Sequence, residues 1–209
     1  MHILLASTSP RRQELLELLG LQFLIVPPTC EETFSPHLSP SEQTRQLARE
    51  KAQSVANHHP QDLVIGSDTV IEIEAKLLGK PENMQEAESM LRHLRGRCHQ
   101  VHTGVAIIQQ DKNVSIDFVE TAQVWIKTFD EQTLKTYLDT EESMGKAGAY
   151  SIQGEGAQLI EKIKGDYPTI VGLPLMRTAK VLEQQGIVMP NAVEDVYRLK
   201  PYANWKDFG

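Results

Sequence analysis

The stretch Ile3-Leu4-Leu5-Ala6-Ser7-Thr8-Ser9-Pro10-Arg11-Arg12 places a short apolar run directly before a helix start. We expect residues 3–7 to form a buried strand. Ser9 is a typical N-cap residue, and a proline at the next position suits the first turn of a helix. The leucines of residues 15–19 give this helix an apolar face, and Gly20 is typical of a helix end. The pattern therefore predicts a strand that leads directly into a helix.

Two adjacent arginines, Arg11 and Arg12, fall in the first turn of this predicted helix. The helix dipole already presents positive partial charge there, so cations are unfavourable by about 0.3–1 kcal/mol each. A bound anion would reverse the effect, because helix N–H groups and guanidinium groups both suit phosphate oxygens. Both arginines could instead point into water, and the spacing alone leaves the two interpretations open.

Strands and helices alternate over the rest of the chain. Helices are predicted over residues 39–58, 84–96, 130–139 and 174–185, and strands over residues 63–65, 70–73, 99–109 and 114–126. Because Gly66-Ser67-Asp68-Thr69 interrupts the apolar pattern, we expect Asp68 to lie at or between strand ends. The last two strands form a hairpin, so the sheet should be mixed. The predicted class is α/β, with a mixed twisted β-sheet flanked by helices.

Length and composition limit the possible classes of protein. The 209 residues are 40% hydrophobic and carry a net charge of −7, which predicts a folded domain over residues 1–186 and a tail over residues 187–209. An acidic chain is a poor partner for nucleic acid. No apolar run approaches the ~18 residues of a membrane span. The N-terminus has no basic leader and the two cysteines form no CxxC motif, so we expect a cytoplasmic protein.

Three further side chains could take part in chemistry on an anionic substrate. Asp68 follows a run of strand residues, where α/β enzymes often place a carboxylate facing a cleft. Glu32 lies in a proline-rich loop, and Mg²⁺ usually needs only one or two carboxylates beside water and phosphate oxygens. Lys80 is held in a turn between glycine and proline. Each also has a plainer interpretation, as a turn cap, a solvated glutamate or a surface lysine.

Several separated motifs agree with one known family. The segment Ala6-Ser7-Thr8-Ser9-Pro10-Arg11-Arg12 resembles the opening signature of the Maf family of nucleoside triphosphate pyrophosphatases. Further motifs follow at family-like spacing: Gly66-Ser67-Asp68-Thr69-Val70, Gly79-Lys80-Pro81, His102-Thr103-Gly104-Val105-Ala106, Lys146-Ala147-Gly148-Ala149-Tyr150-Ser151-Ile152-Gln153-Gly154 and Val171-Gly172-Leu173-Pro174-Leu175. The resemblance covers residues 2–183 and includes no counterpart of the tail.

The resemblance implies hydrolysis of a nucleoside triphosphate between its α- and β-phosphates, with a divalent metal, Mg²⁺ or Mn²⁺. Asp68 matches the proton acceptor of the family and, with Glu32, its metal ligands. Residues that match the phosphate and metal neighbourhood are Ser7, Arg11, Arg12, Glu32 and Lys80. Residues that match positions linked to base selection are Arg11, Thr69 and Gln153. The Asp-Thr pair and the Ile-Gln-Gly run resemble the branch that prefers dTTP and UTP.

The resemblance also implies a fold shared with the inosine triphosphate pyrophosphatases, and a homodimer. Its expected partner is a nucleoside triphosphate, with neither nucleic acid nor a membrane. Two alternatives stay open from the sequence. The first is a nucleotide-binding regulator of cell division with little catalysis. The second is a pyrophosphatase for purine or modified nucleotides.

Overall fold

The computed structural model of the chain describes residues 1–31 and 33–208. Its strands are β1 (Ile3–Ala6), β2 (Leu24–Ile25), β3 (Leu63–Ile73), β4 (Lys76–Leu78), β5 (Cys98–Gln109), β6 (Val114–Ile126) and β7 (Ile160–Lys164). Its helices are α1 (Pro10–Glu17), α2 (Pro40–Ala56), α3 (Met84–Leu94), α4 (Glu131–Leu138), α5 (Tyr167–Val171), α6 (Leu175–Gln184), α7 (Val193–Leu199) and α8 (Ala203–Asp207). Within the described residues, none of these helices has both the length and the apolar composition of a membrane span.

The strands form one seven-stranded mixed sheet. The order is β2-β1-β3-β5-β6-β7, and β4 also pairs with β3. Strand β1 is parallel to both β2 and β3, whereas β3 and β4, and β6 and β7, are antiparallel. Helices connect the parallel strands because a parallel pair needs a crossover connection. The predicted mixed α/β architecture is therefore confirmed.

The chain divides into two compact units. The first comprises Met1–Thr69, Thr103–Glu120 and Gly172–Leu199, and the second comprises Val70–His102, Thr121–Val171 and the residues from Lys200. Strands β3, β5 and β6 each contribute residues to both units. The units are thus built from segments that alternate along the chain rather than from two successive halves.

Helix α2 is the main helix on one face of the sheet in the first unit. A capping box at Ser39 and Glu42 starts it, as the sequence predicts. Its small side chains pack on residues of β1, β3 and β5 that share one face of the sheet. The cluster contains Leu4, Ala6, Ala48, Ala52, Val55, Ala56, Val64, Ala106 and Ile108. Small residues at this interface allow the helix backbone to lie close to the strands.

Two glycines make the contact between α2 and the sheet especially close. A Cβ at Gly66 would lie 2.5 Å from the carbonyl oxygen of Ala48, and one at Gly104 would lie 2.6 Å from that of Thr44. Any side chain at either position would therefore collide with the helix backbone. This close approach brings the buried face of α2 against the polar centre of β3.

The expectation that Asp68 ends a strand is wrong. Strand β3 runs without interruption from Leu63 to Ile73, so Asp68 lies in its middle. The polar residues did not break the strand because Ser67, Asp68 and Thr69 all find partners on the neighbouring helices, strands and loops. Apolar patterning alone misses a strand that passes through a polar site.

Helices and a strand also form in regions for which the sequence predicted no regular structure. Strand β7 and helix α5, both unpredicted, follow the glycine-rich loop. Beyond the helix predicted to be the last one, α7 and α8 form within residues 187–209. Trp205 of α8 is 2% exposed, and its ring stacks on that of Tyr167 with centroids 5.3 Å apart. A single buried aromatic side chain therefore fixes a segment whose periodicity is too weak to predict a helix.

Candidate active site

The order of the strands in the first unit reverses at β1. Helix α1 connects β1 to β2, which lies beside β1 on one side. Helix α2 then connects β2 to β3, which lies beside β1 on the other side, and both neighbours are parallel to β1. Such a reversal of strand order is the position where open α/β sheets bind ligands. Crossovers between parallel strands of one sheet are almost always right-handed, a rule that places two helices on opposite faces when the chain moves in opposite directions along the sheet.

Arg12 of α1 is bonded to groups from three separate segments, one of which also contacts Thr103. We call these residues the arginine cluster: Ser7, Arg12, Thr69, Thr103 and Gly172. Arg12 donates from Nε to the carbonyl oxygen of Gly172 at 2.9 Å, from Nη1 to Ser7 Oγ at 3.3 Å and from Nη2 to Thr69 Oγ1 at 3.2 Å. Thr69 Oγ1 is also 3.0 Å from Thr103 Oγ1. The guanidinium group is therefore fixed within the protein instead of pointing into water.

The backbone of Gly172 supports this cluster. Its carbonyl oxygen accepts hydrogen bonds from Arg12 and from the buried hydroxyl of Ser67, the latter at 3.0 Å. The single hydroxyl hydrogen of Ser67 is shared between this oxygen and the carbonyl oxygen of Gly104, which lies 2.9 Å away. Gly172 has φ +128°, a conformation that side-chain-bearing residues rarely adopt. Glycine at this position therefore lets a backbone carbonyl fix the direction of Arg12.

Asp68 lies in a different cluster, the buried pair Asp68–Lys51. Lys51 Nζ of α2 donates to Asp68 Oδ1, and both side chains are 8% exposed. Two opposite charges taken out of water are stable only when they are paired and hydrogen-bonded. Lys51 therefore holds the orientation of the Asp68 carboxylate.

Sequence reasoning missed Lys51, although a signal was present. Lys51 lies four residues after Leu47 and four residues before Val55, so it shares the apolar face of α2. A lysine at helical spacing within a buried stripe needs an anionic partner. Ser67, Thr103 and the carbonyl of Gly172 carried no such signal, because any hydroxyl or backbone group can play their roles.

The two clusters lie on opposite faces of β3. Successive side chains of a strand point to opposite faces, and Asp68 and Thr69 are consecutive. Their contacts agree, because Asp68 meets α2 and Thr69 meets Arg12 of α1. Pairing of β1 with β3 ends at Ala6 and Gly66, so β3 continues beyond the end of β1. A ligand at the carboxyl end of β1 can thus contact groups from both faces of β3.

The other predicted site residues are distributed as follows. Arg11 is half-buried beside Arg12 in the first turn of α1. Lys80 is exposed and belongs to the second unit, where the carbonyl oxygen of the preceding Gly79 accepts from the backbone N–H of Gly148 at 3.0 Å. Gln153 is half-buried in a turn of the same unit. Glu32 lies outside the described residues. Participation of Lys80, Gln153 and Glu32 in the site stays a prediction.

The donor chemistry around Asp68 fits a hard divalent cation. Within residues 1–31 and 33–208, no three histidine, cysteine or acidic side chains are grouped so that they could hold a metal ion by themselves. Mg²⁺ needs no such cage, because it usually takes one or two carboxylates and completes its octahedron with water and substrate phosphates. The Asp68 carboxylate would supply one such ligand if a cation binds here.

Comparison with known proteins agrees with the sequence motifs. A family model described as Maf-like protein matches residues 2–185. A dTTP/UTP pyrophosphatase of Bacillus anthracis (strain CDC 684 / NRRL 3495) is 43% identical over 190 residues, which are 91% of this chain and 98% of the relative. One of Bacillus cereus (strain ATCC 10987 / NRS 248) is 44% identical over 190 residues, 91% and 93% of the two chains. A solved HAM1 protein of Coxiella burnetii is 17% identical, covers 88% of this chain and 99% of its own, and has a TM-score of 0.48.

Proposed function

Because the chain belongs to the Maf-like protein family, we propose that it hydrolyses nucleoside triphosphates, dTTP and UTP foremost, between the α- and β-phosphates. One observation carries the proposal: two consecutive residues of β3 have the required groups. Asp68 is a buried carboxylate, and Thr69 accepts a hydrogen bond from Arg12. The relatives named dTTP/UTP pyrophosphatase support the choice of substrate. The products would be a nucleoside monophosphate and pyrophosphate.

Asp68 is the proposed proton acceptor of this reaction. The oxygen of a water molecule attacks the α-phosphorus, the bond from that phosphorus to the α,β-bridging oxygen breaks, and pyrophosphate leaves with the bonding electrons. The proton of the attacking water passes to the Asp68 carboxylate. Lys51 bonds to Oδ1 and keeps this carboxylate in one orientation, and the other oxygen, Oδ2, is the proposed acceptor of the proton.

The cationic side chains are proposed to bind the polyphosphate. Phosphoryl transfer depends on positioning and charge neutralisation more than on a protein nucleophile. Arg11, Arg12 and Lys80 would contact phosphate oxygens, and Ser7 would add a hydroxyl donor. A Mg²⁺ or Mn²⁺ ion held by Asp68 and Glu32 would neutralise further charge on the phosphates. The fixed guanidinium of Arg12 loses little conformational freedom when the substrate binds.

A nucleotide panel tests the proposed function directly. The protein is incubated with each common nucleoside triphosphate and Mg²⁺ or Mn²⁺, and pyrophosphate and orthophosphate are measured separately. We expect pyrophosphate and nucleoside monophosphate in equal amounts, with UTP and dTTP as the fastest substrates. Binding without pyrophosphate release would favour the regulator, and faster turnover of purine or modified nucleotides would favour the other pyrophosphatase.

Gln153 is the proposed reader of the base, and its replacement by alanine should reduce selectivity. Uracil and thymine present an acceptor and an N–H donor on their pairing edge, which a glutamine amide can match with one donor and one acceptor. We expect Gln153→Ala to lower the UTP/CTP ratio of kcat/KM about tenfold. Gln158→Ala, at an exposed glutamine five residues later, is the control and should leave the ratio unchanged. An unaltered ratio in Gln153→Ala would remove Gln153 from base recognition.

The remaining expectations about the cellular context are also proposals. We propose a cytoplasmic homodimer that acts on free nucleotides rather than on nucleic acid or a membrane. Two free thiols, Cys30 and Cys98, suit a reducing compartment. The net charge of −7 opposes general binding to nucleic acid. The homodimer rests on the family resemblance.

A further inference from the structure

The C-terminal segment contacts the turn that carries Gln153. Asn204 of α8 donates from Nδ2 to the carbonyl oxygen of Ile152 at 3.0 Å and to that of Gly154 at 3.3 Å. These two carbonyl groups belong to the residues immediately before and after Gln153. An amide nitrogen carries two hydrogen atoms, so one side chain can serve both acceptors. Asn204 therefore restrains the backbone on both sides of a single residue.

Aromatic packing holds Asn204 in place. The neighbouring Trp205 is buried, and its ring lies nearly parallel to that of Tyr167, at 9°. The hydroxyl of Tyr167 donates to the same carbonyl oxygen of Ile152 at 3.5 Å. Burial raises the pKa of Tyr167, so its hydroxyl keeps the proton that it donates. The segment thus supports the turn both directly and through Tyr167.

The far side of the turn is restrained by a carboxylate. Glu142 Oε2 accepts a hydrogen bond from the backbone N–H of Glu155 at 2.6 Å. A Cβ at Gly154 would lie 2.5 Å from the oxygens of the same carboxylate, so a side chain at this position would require the carboxylate to move. Backbone groups at 152, 154 and 155 are therefore all bonded to side chains from outside the turn, and Gln153 is the residue in their midst.

We propose that Asn204 is a positioning residue for base selection, because it fixes the turn from which the Gln153 amide reads the pyrimidine. This inference rests on the proposed function and extends it to a segment beyond residues 2–185, the span of the family model. A side chain on a rigid turn loses less conformational entropy when it binds. Loss of Asn204 should therefore weaken recognition of the base and leave the phosphate chemistry intact.

Two substitutions at Asn204 test this inference. Asn204→Asp keeps the shape but places an oxygen against two carbonyl oxygens, and Asn204→Ala removes the donor without repulsion. We expect each to lower the UTP/CTP ratio of kcat/KM about fivefold, the equivalent of one hydrogen bond, through a higher KM for UTP at nearly constant kcat. Hydrogen exchange at the backbone amides of residues 152–156 should become faster. Asn204→Gln retains an amide donor and should recover part of the selectivity.

The control is another asparagine of the tail that also donates to a backbone carbonyl. Asn191 Nδ2 bonds to the carbonyl oxygen of Leu18 at 2.9 Å, in the first unit. Asn191→Ala should leave the UTP/CTP ratio unchanged, even if it lowers the melting temperature.

The outcomes separate the inference from the function on which it rests. An unchanged ratio in both Asn204→Asp and Asn204→Ala, with a lowered ratio in Gln153→Ala, would overturn the inference and leave the function standing. A loss of kcat equal for UTP and CTP would also overturn it, because it would show a general structural role. Absence of turnover in the unmodified protein would overturn the proposed function and the inference together.

Discussion

Asp68→Asn should lower kcat with UTP by about a thousandfold, within the range that general base catalysis contributes. Asparagine has nearly the same shape and can still accept a hydrogen bond from Lys51, but its amide cannot take the proton of the attacking water. The buried position of Asp68 leaves little room for bulk water to replace it. Pyrophosphate release under saturating substrate measures the effect, and the melting temperature shows whether the variant is folded.

Asp62 provides a matched control for this substitution. Counted over the whole residue, Asp62 and Asp68 are each 6% exposed. Asp62 accepts a hydrogen bond from the backbone N–H of His2 at 2.8 Å and does not belong to the arginine cluster. Asp62→Asn should lower stability somewhat and leave kcat unchanged. If a folded Asp68→Asn variant turned over UTP at the rate of the unmodified protein, Asp68 would not be the proton acceptor.

Lys51→Met should lower the free energy of unfolding by about 3 kcal/mol or more, because it leaves a buried carboxylate without its cation. Methionine fills a similar volume, so the loss measures charge rather than packing. Urea denaturation at neutral pH gives the value. Lys180→Met, at an exposed position of α6, is the control and should change stability by less than about 0.5 kcal/mol.

A double-mutant cycle shows whether the lost pairing with Asp68 causes the loss of stability in Lys51→Met. Lys51→Met in an Asp68→Asn background should leave the free energy of unfolding nearly unchanged or raise it, because it removes a buried ammonium group that has lost its carboxylate partner. An equal cost in both backgrounds would mean that Lys51 stabilises the protein through contacts other than Asp68.

The parts of the fold that sequence could predict are those where local chemistry and tertiary structure agree. Proline after serine marks the start of α1, which ends at Glu17, three residues before Gly20, and the capping box sets the start of α2. Disagreement arose at β3, where polar side chains lie in mid-strand because helices on both faces supply their partners. It arose again at α8, whose position depends on the stacking of Trp205 on Tyr167.

The candidate site was predictable where the types of its side chains alone indicate their chemistry. Two cations in the first turn of a helix oppose its dipole, and this conflict pointed to Arg12. The carbonyl of Gly172, which fixes the guanidinium, comes from a segment 160 residues away and has no side chain to mark it. Lys51 could have been predicted as well, because it is a charged residue at helical spacing within the apolar face of α2.

The two glycines beneath α2 tie the architecture of this protein to its chemistry. At Gly66 and Gly104 the separation between helix and sheet is set by the thickness of the backbone alone. A methyl group added at either glycine would push α2 away from the sheet and move the ammonium group of Lys51 away from Asp68. The proposed proton acceptor and the packing of α2 therefore depend on the same two close contacts, and an alanine at either glycine should impair both.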